Sequence, residues 1–290
     1  MSLRTNLPEI FKAASVTRHG IVYAETRRKD EDSLEGNLSE QDYAGNIPLV
    51  ISQKNYERTG DDTPFEAWTD RVRQETIDLD TSIQTALGFR AIGYIRTVHG
   101  VELVDLDTGM ASSRIHTPYI NRLAADASIV TKLGYASCIT PADCPVSNII
   151  DPKSGAILQI HTGYAGLEKD TILHAVQLTE GVIEPSRSLV YVSPHAQEGY
   201  VINQVNNTLV DRFKADPFMA DFVTVHDDGR ATLDMTHAVQ ARLVDAGFRA
   251  ENIEVSPDNS LTDPTLFSQS TFLTRGVNGR NGMIIGKRDN

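Results

Sequence analysis

The stretch TPADCPVSNIIDPKSGAILQIHTGYAGL, Thr140–Leu167, joins two short segments that each carry one reactive side chain. Ala156–Ile160 has the length and bounding residues of a buried strand, and it delivers His161 into a turn bracketed by Gly163 and Gly166. The segment before it opens on Asp143-Cys144-Pro145. Placing a cysteine at one such boundary and a histidine at the next points to a site at the rim of a sheet.

Working upstream, Ile129–Ile150 is rich in small and β-branched residues and is broken by Pro141 and Pro145, which predicts strands with a tight loop at Pro141–Cys144. Ala91–Val98 and Val101–Leu106 read as strands on either side of His99-Gly100. Phe65, Trp68, Val72, Leu79 and Ile83 recur near helical spacing over Phe65–Leu87, with Gly88 as a stop. His19–Glu25 reads as an opening strand, and the mixed charges of Arg27–Asp32 as a solvated loop. Downstream, Lys169–Glu180 predicts a helix ended by Gly181, and Ser188–Ser193 a strand. Thr232–Ala246 carries Met235, Val239 and Leu243 on one helical stripe, with Gly247 as its cap. Ile253–Ser256 and Met283–Gly286 read as closing strands. Helices and strands alternate without a repeated βαβ period, which predicts a mixed α/β sandwich rather than a doubly wound parallel sheet.

Composition narrows the function. The 290 residues suffice for one large domain or two small ones, and a 40% hydrophobic content is that of a well-cored globular chain. With 27 basic against 39 acidic residues the net charge is −12, so no cationic excess exists to pair with nucleic-acid phosphates or an anionic membrane. The opening MSLRTNLPEIFKAAS lacks the apolar core of a signal peptide, and no run reaches the roughly 20 apolar residues of a membrane span. Two cysteines cannot build a disulfide framework, so a cytoplasmic location is expected.

The chemistry-bearing residues are His99, Cys144 and His161. Two imidazoles and a thiolate suit zinc, and a fourth position left to water would make such a site catalytic. The same atoms also suit a metal-free reading, with Cys144 as a nucleophile activated by His161 or His99 and Asp143 orienting the base. Cys138 lies on an apolar strand and reads as structural, while His116, His174, His195, His226 and His237 have no spacing partner and read as surface or core histidines. The HTGYAG turn could cradle an anion but lacks the ending of a phosphate-binding Walker loop. Arg280 sits between glycines in NGRNG, where a ligand could approach closely.

At a larger scale, ADASIVTKLGYASCITPADCPVSNIIDPKSGAILQIHTGYAGL, Ala125–Leu167, resembles the YfiH-like family, known also as multicopper polyphenol oxidoreductase or laccase-domain proteins. The matching pieces are Ala125-Asp126-Ala127, Val130-Thr131, Thr140–Cys144, Asp151-Pro152 and His161–Gly166. Val98-His99-Gly100 is similar to the family's Val-His-Gly, Glu25-Thr26-Arg27 and Gly36-Asn37-Leu38-Ser39 to its opening pieces, and Gly279-Arg280 to its closing segment.

The resemblance implies one domain over residues 1–290, folded as a four-layer α/β/β/α sandwich. It places His99, Cys144 and His161 on the family's zinc-binding catalytic triplet. It implies phosphorolysis of purine nucleosides, methylthioadenosine included, deamination of adenosine, or both; the alternatives are removal of a misincorporated L-serine from a UDP-muramyl precursor, as in some family members, and a zinc-binding member with little catalysis. The small-molecule partners would be a nucleoside and phosphate. Asp143 would shuttle protons, and Asn37, Tyr164, Lys169 and Arg280 would meet substrate. The oligomeric state stays open. Copper oxidase chemistry fits poorly, because about ten histidines serve a multicopper oxidase and this chain has 8, none in a His-x-His pair. The chain also departs from the family where Trp-Arg becomes Tyr164-Ala165, which removes an arginine suited to phosphate.

Overall fold

The computed structural model describes residues 2–4, 8–12, 19–27, 63–64, 67, 81–108, 123–197, 199–202, 208–271 and 279–289. Their strands are β1 (Ser2–Arg4), β2 (Ile21–Arg27), β3 (Ala91–Arg96), β4 (Leu103–Asp105), β5 (Leu123–Ala124), β6 (Ala127–Val130), β7 (Tyr135–Ile139), β8 (Val146–Ile150), β9 (Ile157–His161), β10 (Leu189–Val192), β11 (Tyr200–Val201), β12 (Val223–Val225), β13 (Ala231–Leu233), β14 (Ile253–Val255) and β15 (Met283–Lys287). The α-helices are α1 (Tyr164–Glu168), α2 (Thr171–Leu178), α3 (Leu209–Ala215) and α4 (Met235–Asp245), and residues 81–87 are also helical.

The first sheet runs β1-β2-β15-β7-β3-β5 and the second β14-β10-β8-β9-β6-β4; a third, of three strands, runs β11-β13-β12. Both large sheets are mixed: β3 is parallel to β7 and β15 antiparallel to it, while β6 is antiparallel to β9 and parallel to β4. The fold is therefore a mixed α/β one.

Alternation along the strands explains the packing. Tyr23, Ile95, Ile139 and Ile285 of the first sheet share a buried cluster with Val130, Val146, Ile150, Ile157 and Tyr191 of the second. Their neighbours point the other way. Ile92, Tyr94, Cys138 and Ile284 pack with Ile83 and Leu87 of the helical segment. Ile129, Ile149, Leu158, Ile160 and Val190 pack with Leu167, Ile172, Val239 and Leu243 from the helices. β8 and β9 are buried on both faces, with Ser147, Asn148, Gln159 and His161 as their buried polar residues. Truncating Ile139 or Ile157, both fully buried, to alanine costs about 2–5 kcal/mol. A few polar pairs fix how the sheets face each other. Ser128 and Ser137 hydroxyls lie 2.6 Å apart, and Gln159 Nε2 donates to Asn148 Oδ1 at 2.7 Å and to the Met283 carbonyl at 3.0 Å.

Register gathers the chemistry at one end. Ile139 pairs with Ile95 and Met283, so the ends of β7 and β3 meet the start of β15. Val146 pairs with His161, and Ala127 with Ile160, so the starts of β8 and β6 meet the end of β9. Thr140–Pro145 crosses between the two sheets at that end, from β7 to β8.

Some expectations shift. The helix expected over Phe65–Leu87 is described only at 67 and 81–87; the rest lies outside the described residues. Lys169–Glu180 begins its helix at Thr171, because Asp170 takes a left-handed conformation with φ 56° and separates α2 from α1. Thr232–Ala246 begins its helix at Met235, since Ala231–Leu233 pairs as β13, and Asp234 caps the new start by accepting from the His237 N–H at 3.0 Å. Arg27 is no solvated loop residue: it ends β2 at 7% exposure, pairing with Glu25 at 2.8 Å, Asp258 at 2.5 Å and Asp263 at 2.9 Å. Residues 28–32 lie outside the described set.

Candidate metal centre

His99 lies in the loop that follows β3, Cys144 in the crossing between the sheets, and His161 at the end of β9. One nitrogen or sulfur from each falls within 4.8 Å of the others, a group that could hold a metal ion. The two imidazoles stand nearly perpendicular, with centroids 5.2 Å apart. Cys144 is half-exposed, His99 exposed and His161 buried, so the group opens to solvent on one side.

A single carboxylate supports two of the three. Asp126 Oδ1 accepts from His161 Nδ1 at 3.0 Å and from the His99 N–H at 3.0 Å. Its Oδ2 accepts from the Gly100 N–H at 2.7 Å and the Val98 N–H at 3.2 Å. This is why the expected strands stop short of His99-Gly100: the amides that would extend them turn towards Asp126. His99 has φ 55°, a conformation that costs a non-glycine residue about 1–2 kcal/mol and persists only where its surroundings impose it. The same loop is tied from its carbonyls, by Lys169 Nζ to His99 and by Thr171 Oγ1 to Gly100 at 2.7 Å. Glu102 folds back over Gly100, accepting from the Val101 N–H at 3.0 Å; a Cβ on Gly100 would lie 2.0 Å from its Oε2.

Electrostatics match the donor set. Burial alone would raise the Cys144 thiol, but the charge and hydrogen bonding of His161 and then His99 bring it down to about 6. Burial would lower the His161 imidazole, but Cys144 and Asp126 raise it to about 9. The pair is a thiolate beside an imidazolium at neutral pH. Asp126 sits below the usual carboxylate range despite burial, held there by His161 and the Gly100 and His99 N–H groups.

The other expected residues are placed as follows. Asp143 is buried next to Cys144, and its carboxylate accepts from Ser260 Oγ at 2.8 Å and from the Ser270 N–H and hydroxyl at 2.7 Å each. Lys169 is engaged on the His99 carbonyl. Tyr164 opens α1, half-buried, and burial followed by the charges of Cys144 and Glu168 raises its phenol. Arg280 donates to Gln269 Oε1 at 3.3 Å and to the Gly279 carbonyl at 2.9 Å. Asn37 and His116 lie outside the described residues. Cys138 is buried on β7, in the outer cluster with Ile284. His195 is buried between the Ser193 carbonyl at 2.7 Å and Thr236 Oγ1 at 2.9 Å, and His226 and His237 bond Thr232 and Asp234.

Sequence reasoning gave no site role to Asp126, Thr171, Gly163 or Tyr200. Asp126 carried a signal, a lone carboxylate between alanines at the head of an apolar run. Thr171 and Tyr200 carried none; Tyr200 is buried, and its phenol is raised by burial and then by the charges of Cys144 and Asp143.

The fold has counterparts among known proteins. Residues 68–288 match the model of a family described as multi-copper polyphenol oxidoreductase laccase. No curated protein matches the chain. A crystal structure of the Bacillus licheniformis hypothetical protein YfiH is similar with a TM-score of 0.70 at 17% identity, covering 92% of this chain and 93% of that one. YlmD from Geobacillus stearothermophilus gives 0.66 at 21%, covering 93% of each. A Neisseria meningitidis protein gives 0.65 at 17%, covering 93% of this chain and 95% of that one. At these identities the likeness is one of fold.

Proposed function

The chain belongs to the multi-copper polyphenol oxidoreductase laccase family, and from that premise we propose that it is a zinc enzyme acting on purine nucleosides, with adenosine deamination as its main reaction. The observation that carries this reading is the open group of two imidazoles and one thiolate. The residues fit zinc: the donors are borderline to soft, the sulfur is a thiolate at neutral pH, and the exposed side leaves room for water as a fourth ligand. Two imidazoles and a thiolate would also suit a single copper. A copper oxidase needs further copper centres, and among the described residues this is the one group with the donors for any.

Bound zinc would supply Lewis acidity and a water acidified to near neutrality. The chain supplies the rest. Tyr164, half-buried beside the group, offers a face for the purine. Deamination forms a C6–O bond and breaks the C6–N6 bond, so the water's two protons must pass to N1 and to the departing ammonia. Asp126 and Asp143 are buried and filled with hydrogen-bond donors. Glu102, exposed and folded over Gly100, is the carboxylate we assign to carry these protons. Phosphorolysis is the lesser arm, since Lys169 and Arg280, the cations expected to meet phosphate, are already engaged.

The test is a product assay. Zinc-loaded protein would be incubated with adenosine, inosine and methylthioadenosine, with and without phosphate, beside Cys144→Ala. Inosine from adenosine without phosphate, lost in the variant, is the expected result. Free base formed only with phosphate would replace deamination by phosphorolysis, and no product from any nucleoside would overturn the reading.

A further inference from the structure

We propose that Asp126 decides which nitrogen of His161 faces the metal and, with the same carboxylate, holds His99 in its left-handed turn. The inference rests on the metal-centre reading above and assigns a positioning residue within it. The argument is one of donor count. Four groups point at two oxygens: His161 Nδ1 and the His99 N–H at Oδ1, the Gly100 and Val98 N–H groups at Oδ2. Backbone amides can only donate, so both oxygens must act as acceptors. An ionised carboxylate is acceptor-only, so His161 Nδ1 must carry a proton. In the neutral ring the lone pair then resides on Nε2, the nitrogen left to ligate. One group thereby sets the tautomer of one ligand and the backbone of another, and the two histidines are aligned together.

An amide in the same place cannot do both. If the amide NH2 of an Asp126→Asn side chain faces His161, Nδ1 must accept, and the ring proton moves to Nε2, where it blocks ligation. If the NH2 faces Gly100 and Val98 instead, it meets two N–H groups and frees the residues on either side of His99. A second carboxylate provides the comparison. Asp107 accepts from the Thr131 N–H at 3.0 Å and the Lys132 N–H at 3.2 Å, at the opposite end of β6 from Asp126. Its replacement by asparagine removes the same kind of bonding without touching a ligand.

The experiment is carried out on the full chain, labelled with nitrogen-15 on histidine. Zinc affinity is read by chelator competition, and the His161 tautomer by nitrogen shifts in the metal-free protein above pH 10. The expected wild-type signature is a proton on Nδ1. Asp126→Asn should weaken zinc binding about 10- to 100-fold in either orientation of its amide, with the proton moved to Nε2 where the NH2 faces His161 and kept on Nδ1 where it faces Gly100, while Asp107→Asn lowers the unfolding midpoint and leaves zinc affinity unchanged. A wild-type proton on Nε2 overturns the proposal even if Asp126→Asn does not fold. So does an unchanged zinc affinity in that variant, or an equal loss of affinity in both variants. Failure of the wild type to bind zinc would remove the metal-centre reading, and the wild-type tautomer would still decide the role of Asp126.

Discussion

Cys144 Sγ occupies the space that a side chain on Gly163 would need: a Cβ there would lie 2.4 Å from the sulfur. Gly163 has φ −78°, which any residue adopts, so the glycine is required by the close approach of the sulfur and not by its backbone. Gly163→Ala should therefore push the thiolate out of the group while the fold holds. Zinc affinity should drop about 10- to 100-fold with a nearly unchanged unfolding midpoint. Unaltered affinity would show that the sulfur is free to move.

Metal loading should release protons in a defined pattern. Between pH 6 and 9 the metal-free site holds the Cys144 thiolate and the His161 imidazolium, with pKa values of about 6 and about 9. Ligation needs a neutral ring, so His161 must lose about one proton at pH 7.5. The apparent affinity should rise about tenfold per pH unit across that window, more steeply below pH 6, and level off above pH 9. Calorimetry in buffers of different ionisation enthalpy measures the release directly; a value near zero at pH 7.5 would contradict the thiolate–imidazolium pair.

Glu102 and Asp143 should separate by what their loss affects. Glu102→Gln should lower kcat about 10²- to 10⁴-fold and leave zinc affinity and stability intact. Asp143→Asn removes a charge that accepts from Ser260 and Ser270, so it should cost about 1.5–3 kcal/mol of stability. Steady-state kinetics beside urea unfolding reads both. A reversed pattern would return the proton transfer to Asp143.

Arg27 should prove costly to remove. Glu25 is 2% exposed, and Arg27 is its ion-pair partner, with Tyr23 as a further hydrogen-bond donor at 2.8 Å. Arg27→Met strands that carboxylate and releases Asp258 and Asp263, a loss of about 3–5 kcal/mol. Replacing Arg27 and Glu25 together should recover part of it. Urea unfolding of the three variants is the measurement, and a mild effect of Arg27→Met alone would mean that the cluster adds little.

The strands at Val146–Ile150 and Ile157–His161 were legible in the sequence from their β-branched and aliphatic residues and from the Pro145 and Gly155 that bound them. His99, Cys144 and His161 were legible by type and by resemblance, though no local spacing united them. Their convergence depends on register, which composition does not encode. Asp126 stood out as a residue but its role did not, because its partners are backbone N–H groups and a histidine 35 residues away. Arg27 misled because a run of charges reads as solvated, and only the fold supplies the acids, Asp258 and Asp263, that bury it. The short β11–β13 sheet escaped because Thr232 and Leu233 continue the apolar pattern of the helix after them.

The ligands come from separate sheets. His99 follows a strand of the first, His161 ends a strand of the second, and Cys144 lies on the crossing between them. A bound ion would act as a rivet through that end of the sandwich, while the apolar cluster around Ile139 and Ile157 secures the interior without it. Metal supply would then set the lifetime of the protein as well as its activity. A chain starved of metal would stay folded, and the loaded form would outlast it by a margin that grows with free metal concentration.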